Sequence, residues 1–226
     1  MEQPRPDDLP TRCYLVRHCD VENPGRVIYG HLPGFPLSAL GVAQAHQLGA
    51  FFAATPVRVI LTSPLERARQ TAAIIASHLE GVPVAVTTDL VEADFAHYLQ
   101  GIPYRDIVWR RPRWWVHMAW PGLLPGDEPM SQMAQRVGRQ LERVRAEHPG
   151  AGGICISHGD PIQAFWATCD HRPPWALHRL QCAKGGLLAL DYRGRELRAK
   201  TYRAPTAAPA VEARGGEPEP VSTQHP

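Results

Sequence analysis

The sequence of 226 residues has little lysine: Lys184 and Lys200 are its only two, so 22 of its 24 basic residues are arginines. The formal net charge is only +2. A non-specific nucleic-acid binder needs a clear basic excess to release counterions, so the balance argues against that class. Arginine is the bidentate partner for phosphate and carboxylate, but a biased genome composition gives the same excess. The count alone therefore assigns no function.

Long apolar runs and paired cysteines are missing as well. No stretch approaches the ~18 apolar residues of a membrane span, and the first ten residues are polar and contain three prolines, unlike a secretory leader. The five cysteines are an odd number without a C-x-x-C pair, which favours neither a disulfide framework nor a zinc ribbon. We therefore expect a cytoplasmic protein that does not contact membranes.

The remaining composition is that of a globular chain, with 44% hydrophobic and 20% charged residues. We predict one domain over residues 12–204. Residues 1–11 are predicted to be a disordered arm, and residues 205–226, mostly Ala, Pro, Glu and Gly, a disordered tail.

Short β-branched segments alternate with longer amphipathic ones, and this alternation predicts an α/β fold. The predicted strands are Cys13–Val16, Val57–Thr62, Val84–Val86 and Gly153–Ile156, followed by a hairpin of Leu187–Asp191 and Leu197–Tyr202. The predicted helices are Pro36–Ala54, Ser63–Leu79, Met130–His148 and Asp160–Ala167. Ser63 with Glu66 is typical of a capping box, and Asp160 is predicted to cap its helix. We expect a mostly parallel central sheet with helices on both faces.

Basic residues and histidines follow three of these strands: Arg17-His18, Arg67 and His158. Ligand sites in such sheets lie at the carboxyl ends of the strands, so we expect these side chains to converge. A neutral histidine is a competent nucleophile near neutral pH, and arginines stabilise the charge on a transferring phosphoryl group. The pattern therefore predicts a phosphoryl-transfer site that needs no metal or organic cofactor.

Five collinear motifs resemble those of the histidine phosphatase superfamily, also called the phosphoglycerate mutase-like superfamily. They span about residues 13–165 and are Arg17-His18-Cys19, Pro36-Leu37-Ser38-Ala39-Leu40-Gly41 with Gln44-Ala45, Ser63-Pro64-Leu65-Glu66-Arg67-Ala68-Arg69-Gln70-Thr71-Ala72, Leu90-Val91-Glu92-Ala93-Asp94-Phe95, and Ser157-His158-Gly159 with Pro161-Ile162. The resemblance implies a phosphoglycerate mutase-like fold with a variable cap segment at about residues 95–129.

The resemblance also implies the chemistry. His18 would attack phosphorus and become a phosphohistidine, while Arg17, Arg67 and His158 surround the phosphoryl group. Glu92 would protonate the leaving oxygen and then activate water.

Two further residues enter this assignment less directly. Asp94 is a rival carboxylate near the acidic position. Asn23 is similar to the family's phosphate-contacting asparagine, although it comes one residue early.

The sequence departs from the family pattern at three places. Cys19 replaces the glycine after the nucleophile, so we expect a narrower pocket or a thiol open to oxidation. Phe95-Ala96-His97-Tyr98 and Gly126-Asp127-Glu128-Pro129 differ from the family's Phe-Gly-x-Trp and Gly-Gly-Glu-Ser. These last two changes concern substrate identity more than chemistry.

The segment Trp109-Arg110-Arg111-Pro112-Arg113-Trp114-Trp115 interleaves arginine with tryptophan. It could grip a nucleotide, or it could be a packed cap whose arginines face water. We take as a hypothesis that it helps to select the substrate. The other histidines, such as His46, His78, His117 and His148, are given no role.

The expected function is hydrolysis of a small phosphorylated metabolite. Mutase-type transfer is an alternative, but the chain has Val27-Ile28-Tyr29-Gly30-His31 where the family's mutases carry Phe-x-Gly-Trp. A catalytically weak phosphoester-binding module is a second alternative. A metallophosphoesterase built on the pairs His18-x-Asp20 and His158-x-Asp160 is a third. Assembly as a homodimer is left open.

Overall fold

The computed structural model describes residues 9–94, 98–120 and 122–205. The strands are β1 (Pro10–Arg17), β2 (Val57–Thr62), β3 (Val84–Val86), β4 (Gly152–Ser157), β5 (Leu187–Arg193) and β6 (Glu196–Arg203). The helices are α1 (Ala39–Ala53), α2 (Glu66–Ala76), α3 (Ile107–Arg110), α4 (Trp114–Ala119), α5 (Met130–Glu147) and α6 (Gly159–Cys169). Short 3-10 turns cover Thr88–Leu90, Tyr104–Asp106 and Pro174–Arg179.

The six strands form one sheet in the order β3-β2-β4-β1-β5-β6. The first four in this order are parallel, whereas β5 pairs antiparallel with both β1 and β6. One apolar cluster lies between the sheet and α5 with α6, and a second lies between the other face and α1 with α2. The predicted fold class, a mostly parallel sheet with helices on both faces, is confirmed. Within the described residues, no helix has the length and apolar character needed to cross a bilayer.

Strand β1 begins at Pro10, two residues before the predicted domain boundary, because Pro10 and Thr11 pair with Arg193 and Tyr192 of β5. Leu9, just before the strand, is also described. Residues 1–8 of the predicted arm and residues 206–226 of the predicted tail lie outside the described residues. The tail's first residue, Pro205, is described and lies two residues after the end of β6.

Both predicted helix caps are wrong. Helix α2 begins only at Glu66, and its N-cap residue, Leu65, makes no side-chain cap bond. The Ser63 hydroxyl instead binds the amide N–H of Leu65, at 3.3 Å, and the ring of His158, at 2.8 Å. In α6 the N-cap position is His158, because β4 passes into the helix through this single residue. Asp160 therefore lies within the first turn.

Helix α1 fixes the loop that follows β1. Its N-cap, Ser38, accepts from the amide of Gly41 at 3.1 Å and donates to Asp20 Oδ2 at 2.7 Å. Gln44 Oε1 accepts from the amide of Asp20 at 2.9 Å. A Cβ on Gly41 would lie 2.0 Å from the backbone oxygen of Asp20, so only glycine allows this approach. The Pro-Leu-Ser-x-x-Gly-x-x-Gln pattern thus holds the segment that carries His18.

Candidate active site

His18 follows β1 at the carboxyl end of the sheet, and its imidazole is completely buried. Its Nδ1 is 2.8 Å from the backbone oxygen of Cys19, so Nδ1 carries the proton and Nε2 presents a lone pair. Burial, together with the charges of Arg67 and Arg17, lowers the pKa of His18 well below its usual value. The ring is therefore neutral at physiological pH and its free nitrogen is nucleophilic.

Arg67, in the first turn of α2, is almost fully buried against this nitrogen. Its Nε donates to His18 Nε2 at 3.2 Å, and its Nη2 donates to the Gly30 backbone oxygen at 2.9 Å. The guanidinium carbon lies 4.7 Å from the centre of the Tyr29 ring, which adds a cation–π contact. The guanidinium of Arg67 is therefore in direct hydrogen-bond contact with the nucleophilic nitrogen of His18.

His158 lies beside His18, with the two ring centres 5.1 Å apart. Arg67 Nη2 is 3.1 Å from His158 Nδ1, which makes Nδ1 the acceptor. Nε2 then carries the proton and donates to the Ser63 hydroxyl at 2.8 Å. Burial, followed by the charge of Arg67, lowers the pKa of His158 well below its usual value. Ser63 thereby selects the tautomer of a neutral histidine.

Glu92 completes the site on the other side of His158, with Oε2 at 3.9 Å from His158 Nδ1. Its Oε1 accepts from the amide of Ala93 at 3.0 Å, and its backbone oxygen lies 2.9 Å from His31 Nε2. Burial, followed by the nearby carboxylate of Asp160, raises the pKa of Glu92 from 4.5 to about 7. The carboxyl group can therefore both give and take a proton near neutral pH.

Arg17 lies at the mouth of the site, where β1 ends. Its Nη1 donates to the backbone oxygen of Cys182 at 2.5 Å. Its Nε is buried and has no hydrogen-bond partner among the described residues. A Cβ on Gly159 would approach the guanidinium carbon to 3.2 Å, so the glycine leaves room for this side chain. Arg17 thus keeps one donor that no described residue uses, on a side chain that lines the cavity described next.

A cavity of about 260 Å³ opens onto this cluster. Arg17, Tyr29, Gly30, Glu92 and Gly159 line the end next to the histidines. The remainder of its wall comes from Ile28, from segments between residues 99 and 118, and from Asp160, Gln163 and His178.

The structure thus brings together five of the six predicted site residues, namely Arg17, His18, Arg67, Glu92 and His158. It does not bring Asn23 to them. The amide of Asn23 is engaged with the backbone of Val27, at 2.9 Å for Nδ2 to the oxygen and 3.0 Å for Oδ1 to the nitrogen. Asn23 shapes the loop after β1 instead, and it is not among the residues that line the cavity.

Cys19 differs from the expectation as well. Its side chain is fully buried in the apolar cluster beneath α1 and α2, and its amide donates to Thr71 Oγ1 at 3.1 Å. Burial raises the pKa of its thiol to about 12. A buried thiol with so little thiolate neither narrows the cavity nor reacts readily with oxidants.

The cap segment contributes less than its sequence suggests. Trp114 lines the cavity, but Trp109 is 86% exposed and Trp115 is 58% exposed. The side chains of Arg111 and Arg113 border a separate surface depression. Of the Phe95–Tyr98 departure, residues 95–97 lie outside the described residues.

The two His-x-Asp pairs do not form a joint metal site. The carboxylate of Asp20 accepts hydrogen bonds from Lys184 Nζ, at 2.8 Å, and from the Ser38 hydroxyl. Asp160, in contrast, lines the cavity. Among the described residues, no group of three or more His, Cys, Asp or Glu side chains is arranged to hold a metal ion.

Sequence reasoning missed four residues of the site: Tyr29, Ser63, Asp160 and His117. Asp160 was assigned to a helix cap and His117 to no role, yet both line the cavity. Ser63 had a usable indication, because a serine that directly follows a buried strand lies at the same sheet edge as His158. The sequence carries no comparable indication for Tyr29.

Comparisons with known proteins agree with this geometry. Residues 13–205 match the family described as "Histidine phosphatase superfamily (branch 1)". An uncharacterised protein of Mycobacterium tuberculosis (strain ATCC 25618 / H37Rv) is 32% identical over 200 residues, which cover 87% of this chain and 98% of that protein. The "Probable phosphoglycerate mutase GpmB" of Salmonella choleraesuis is 29% identical over 86% of this chain and 91% of its own length.

Solved structures share the fold. YhfR of Bacillus stearothermophilus superimposes with a TM-score of 0.74 at 23% identity, covering 83% of this chain and 94% of that one. The alpha-ribazole phosphatase of Shigella flexneri superimposes with a TM-score of 0.69 at 25% identity, covering 89% of this chain and 99% of that one.

Proposed function

The chain belongs to the histidine phosphatase superfamily, and from that premise we propose that it is a metal-independent phosphatase that hydrolyses a small phosphomonoester through a phosphohistidine on His18. One observation carries the proposal. His18 Nε2 carries no proton, and its lone pair accepts from Arg67 Nε, with His158 and Glu92 beside them.

In the first step the phosphoryl oxygens bind to Arg17 and Arg67, and His158, whose Nε2–H is held by Ser63, lies beside them. Arg67 Nε now bonds His18 Nε2, so a bound phosphoryl group takes over this donor and releases the lone pair. The lone pair then forms the N–P bond while the bond from phosphorus to the leaving oxygen breaks. Glu92 transfers its proton to that oxygen, and a neutral alcohol leaves.

In the second step Glu92 is a carboxylate and removes a proton from water. The water oxygen attacks phosphorus, the N–P bond breaks, and His18 recovers its neutral tautomer. Glu92 ends protonated, as it began, and inorganic phosphate leaves. Throughout, the protein supplies position and charge, which is what phosphoryl transfer requires.

Hydrolysis is preferred over mutase-type transfer because residues 27–31 lack the Phe-x-Gly-Trp of the family's mutases. The similarity to a protein named as a phosphoglycerate mutase keeps that transfer as the second candidate. We further propose that the enzyme acts in the cytoplasm on a small phosphorylated metabolite, without nucleic acid or membrane, as a monomer or a homodimer.

The test is to trap the intermediate. Enzyme mixed with radiolabelled phosphoester is quenched in alkali, because phosphohistidine is labile in acid, and the labelled peptide is mapped. We expect label on the His18 peptide and none in His18→Ala, which should still bind vanadate. The control is His46→Ala on the exposed side of α1, which should label and turn over like the wild type. Vanadate binding without label or turnover would favour the binding module, and loss of activity on chelation would favour a metalloenzyme.

A further inference from the structure

Beyond the phosphoryl end, the cavity has two unlike walls. One wall is apolar and consists of Ile28, Leu99, Ile107, Trp114 and Met118. The other is polar and consists of His117, Asp160, Gln163 and His178. A leaving group attached to the phosphorus would contact these side chains, so their chemistry selects it.

The charges in this cavity are unevenly placed. Among the described residues that line it, Arg17 is the only arginine or lysine, and it lies at the phosphoryl end. Lys184, near the same end, is 2.8 Å from Asp20 and outside the lining. The described lining of the distal part thus offers no arginine or lysine to a second anionic group.

Asp160 gives the distal part the opposite character. Its side chain is 16% exposed, and His178 Nδ1 lies 3.9 Å from its Oδ1, beyond hydrogen-bond distance. Burial lowers the pKa of His178 to about 4, so this ring is uncharged and does not neutralise the carboxylate. Burial raises the pKa of Asp160 itself, so a second anionic group beside it is disfavoured further, while its oxygens can accept from a ligand's donor.

The other polar groups are held in place from behind. His117 Nδ1 is 3.0 Å from Asp127 Oδ2, and the side-chain amide of Gln163 donates to the Leu180 backbone oxygen. These contacts orient His117 and Gln163 in the polar part of the cavity lining, and neither contact involves a lysine or arginine side chain.

We propose that the substrate is a phosphomonoester of an alcohol that carries no anionic group. The leaving group gives an O–H or N–H donor to Asp160 and lays an apolar face against Leu99, Ile107 and Trp114. A carboxylate in its place would lie beside Asp160, and the described lining offers it no lysine or arginine apart from Arg17, which the phosphoryl group uses, so its binding is unfavourable. This inference rests on the proposed function, because it describes the leaving group of that reaction.

The decisive experiment compares two substrates that differ at one carbon. Glycerol-3-phosphate has a hydroxymethyl group where 3-phosphoglycerate has a carboxylate. We expect kcat/KM to be about tenfold or more higher for glycerol-3-phosphate. Asp160→Asn should reduce this ratio of kcat/KM values several-fold. The substitution also changes the pKa of Glu92, but both substrates use the same phosphoryl site and the same Glu92, so that effect cancels in the ratio. Asp170→Asn removes the same charge at the other end of α6 and should leave the ratio unchanged.

The apolar wall is tested with benzyl phosphate. Trp114→Ala should lower kcat/KM for benzyl phosphate by about tenfold, and for glycerol-3-phosphate by less. Trp109→Ala removes an equally large but exposed ring and should change neither value. Equal losses on both substrates in Trp114→Ala would overturn the proposed apolar contact.

Outcomes for this inference and for the proposed function can be separated with p-nitrophenyl phosphate, whose activated leaving group places little demand on the distal cavity. Turnover of this ester together with a preference for 3-phosphoglycerate would overturn the substrate class and leave the phosphatase proposal standing. No turnover of any ester would overturn both.

Discussion

Deprotonation of the buried Glu92 carboxyl has a cost in stability that can be measured. Its pKa is raised from 4.5 to about 7 in the folded protein. One pKa unit corresponds to ~1.4 kcal/mol, so the shift amounts to about 3 kcal/mol of unfolding free energy. The sign follows from proton binding. The folded state holds this proton more tightly than the unfolded state, so the stabilising contribution is complete below pH 4.5 and is lost as the pH rises to about 7.

Glu92→Gln removes this titration while keeping the shape of the side chain. We expect the variant to gain stability relative to the wild type as the pH is raised, by about 2–3 kcal/mol between pH 5 and pH 8. Its turnover should fall by several orders of magnitude, because an amide neither protonates the leaving oxygen nor activates water.

The assay is urea unfolding of both proteins at several pH values, with the free energy of unfolding extrapolated to water. Glu80→Gln is the control, since it makes the same chemical change at an exposed position. A stability difference between Glu92→Gln and the wild type that stayed constant from pH 5 to pH 8 would refute the assignment of Glu92 as the group with the raised pKa. Unchanged turnover would separately refute its role as proton donor.

Two further predictions follow from contacts around the site. Gly41→Ala should destabilise the protein by about 1–3 kcal/mol, because its Cβ would overlap the backbone oxygen of Asp20. Gly138→Ala, in a helix interior where the nearest atom would be 3.8 Å away, should be neutral or stabilising by up to ~1 kcal/mol. Thermal unfolding of both variants checks this pair, and equal losses would contradict the close approach at Gly41. Ser63→Ala should lower kcat at least tenfold and cost about 1–3 kcal/mol, because it leaves the buried Nε2–H of His158 without an acceptor. Ser63→Thr keeps the hydroxyl and should restore most of the activity; if it is as impaired as Ser63→Ala, the hydrogen bond is not what matters.

The sheet and the catalytic cluster could be predicted because their physical causes are local. Buried strands appear as β-branched runs, and the residues that follow parallel strands meet at one edge of the sheet. Val57–Thr62 and Val84–Val86 were predicted with the bounds that the structure has. Arg17, His18, Arg67 and His158 then meet because each lies at the end of a strand or in the first turn of the next helix.

What could not be predicted depends on how side chains compete for partners. Ser63 and Asp160 have the residue types of helix caps, but Ser63 bonds the ring of His158 and Asp160 lines the cavity. Asn23 has the expected residue type for a phosphate ligand, yet its amide is satisfied by Val27. Such outcomes are decided by tertiary packing, which a motif does not encode.

The central position of β1 has a consequence for how the enzyme forms. This strand carries the nucleophile, and its neighbours in the sheet are β4 and β5, with Arg12 opposite Gly152 across 140 positions of chain. During synthesis β1 therefore leaves the ribosome long before either neighbour exists. Contacts so distant in sequence make folding slow and leave an apolar strand exposed meanwhile. The site thus cannot form until β4 has been made, and a chain truncated before β4 lacks both sheet neighbours of β1 and the second histidine.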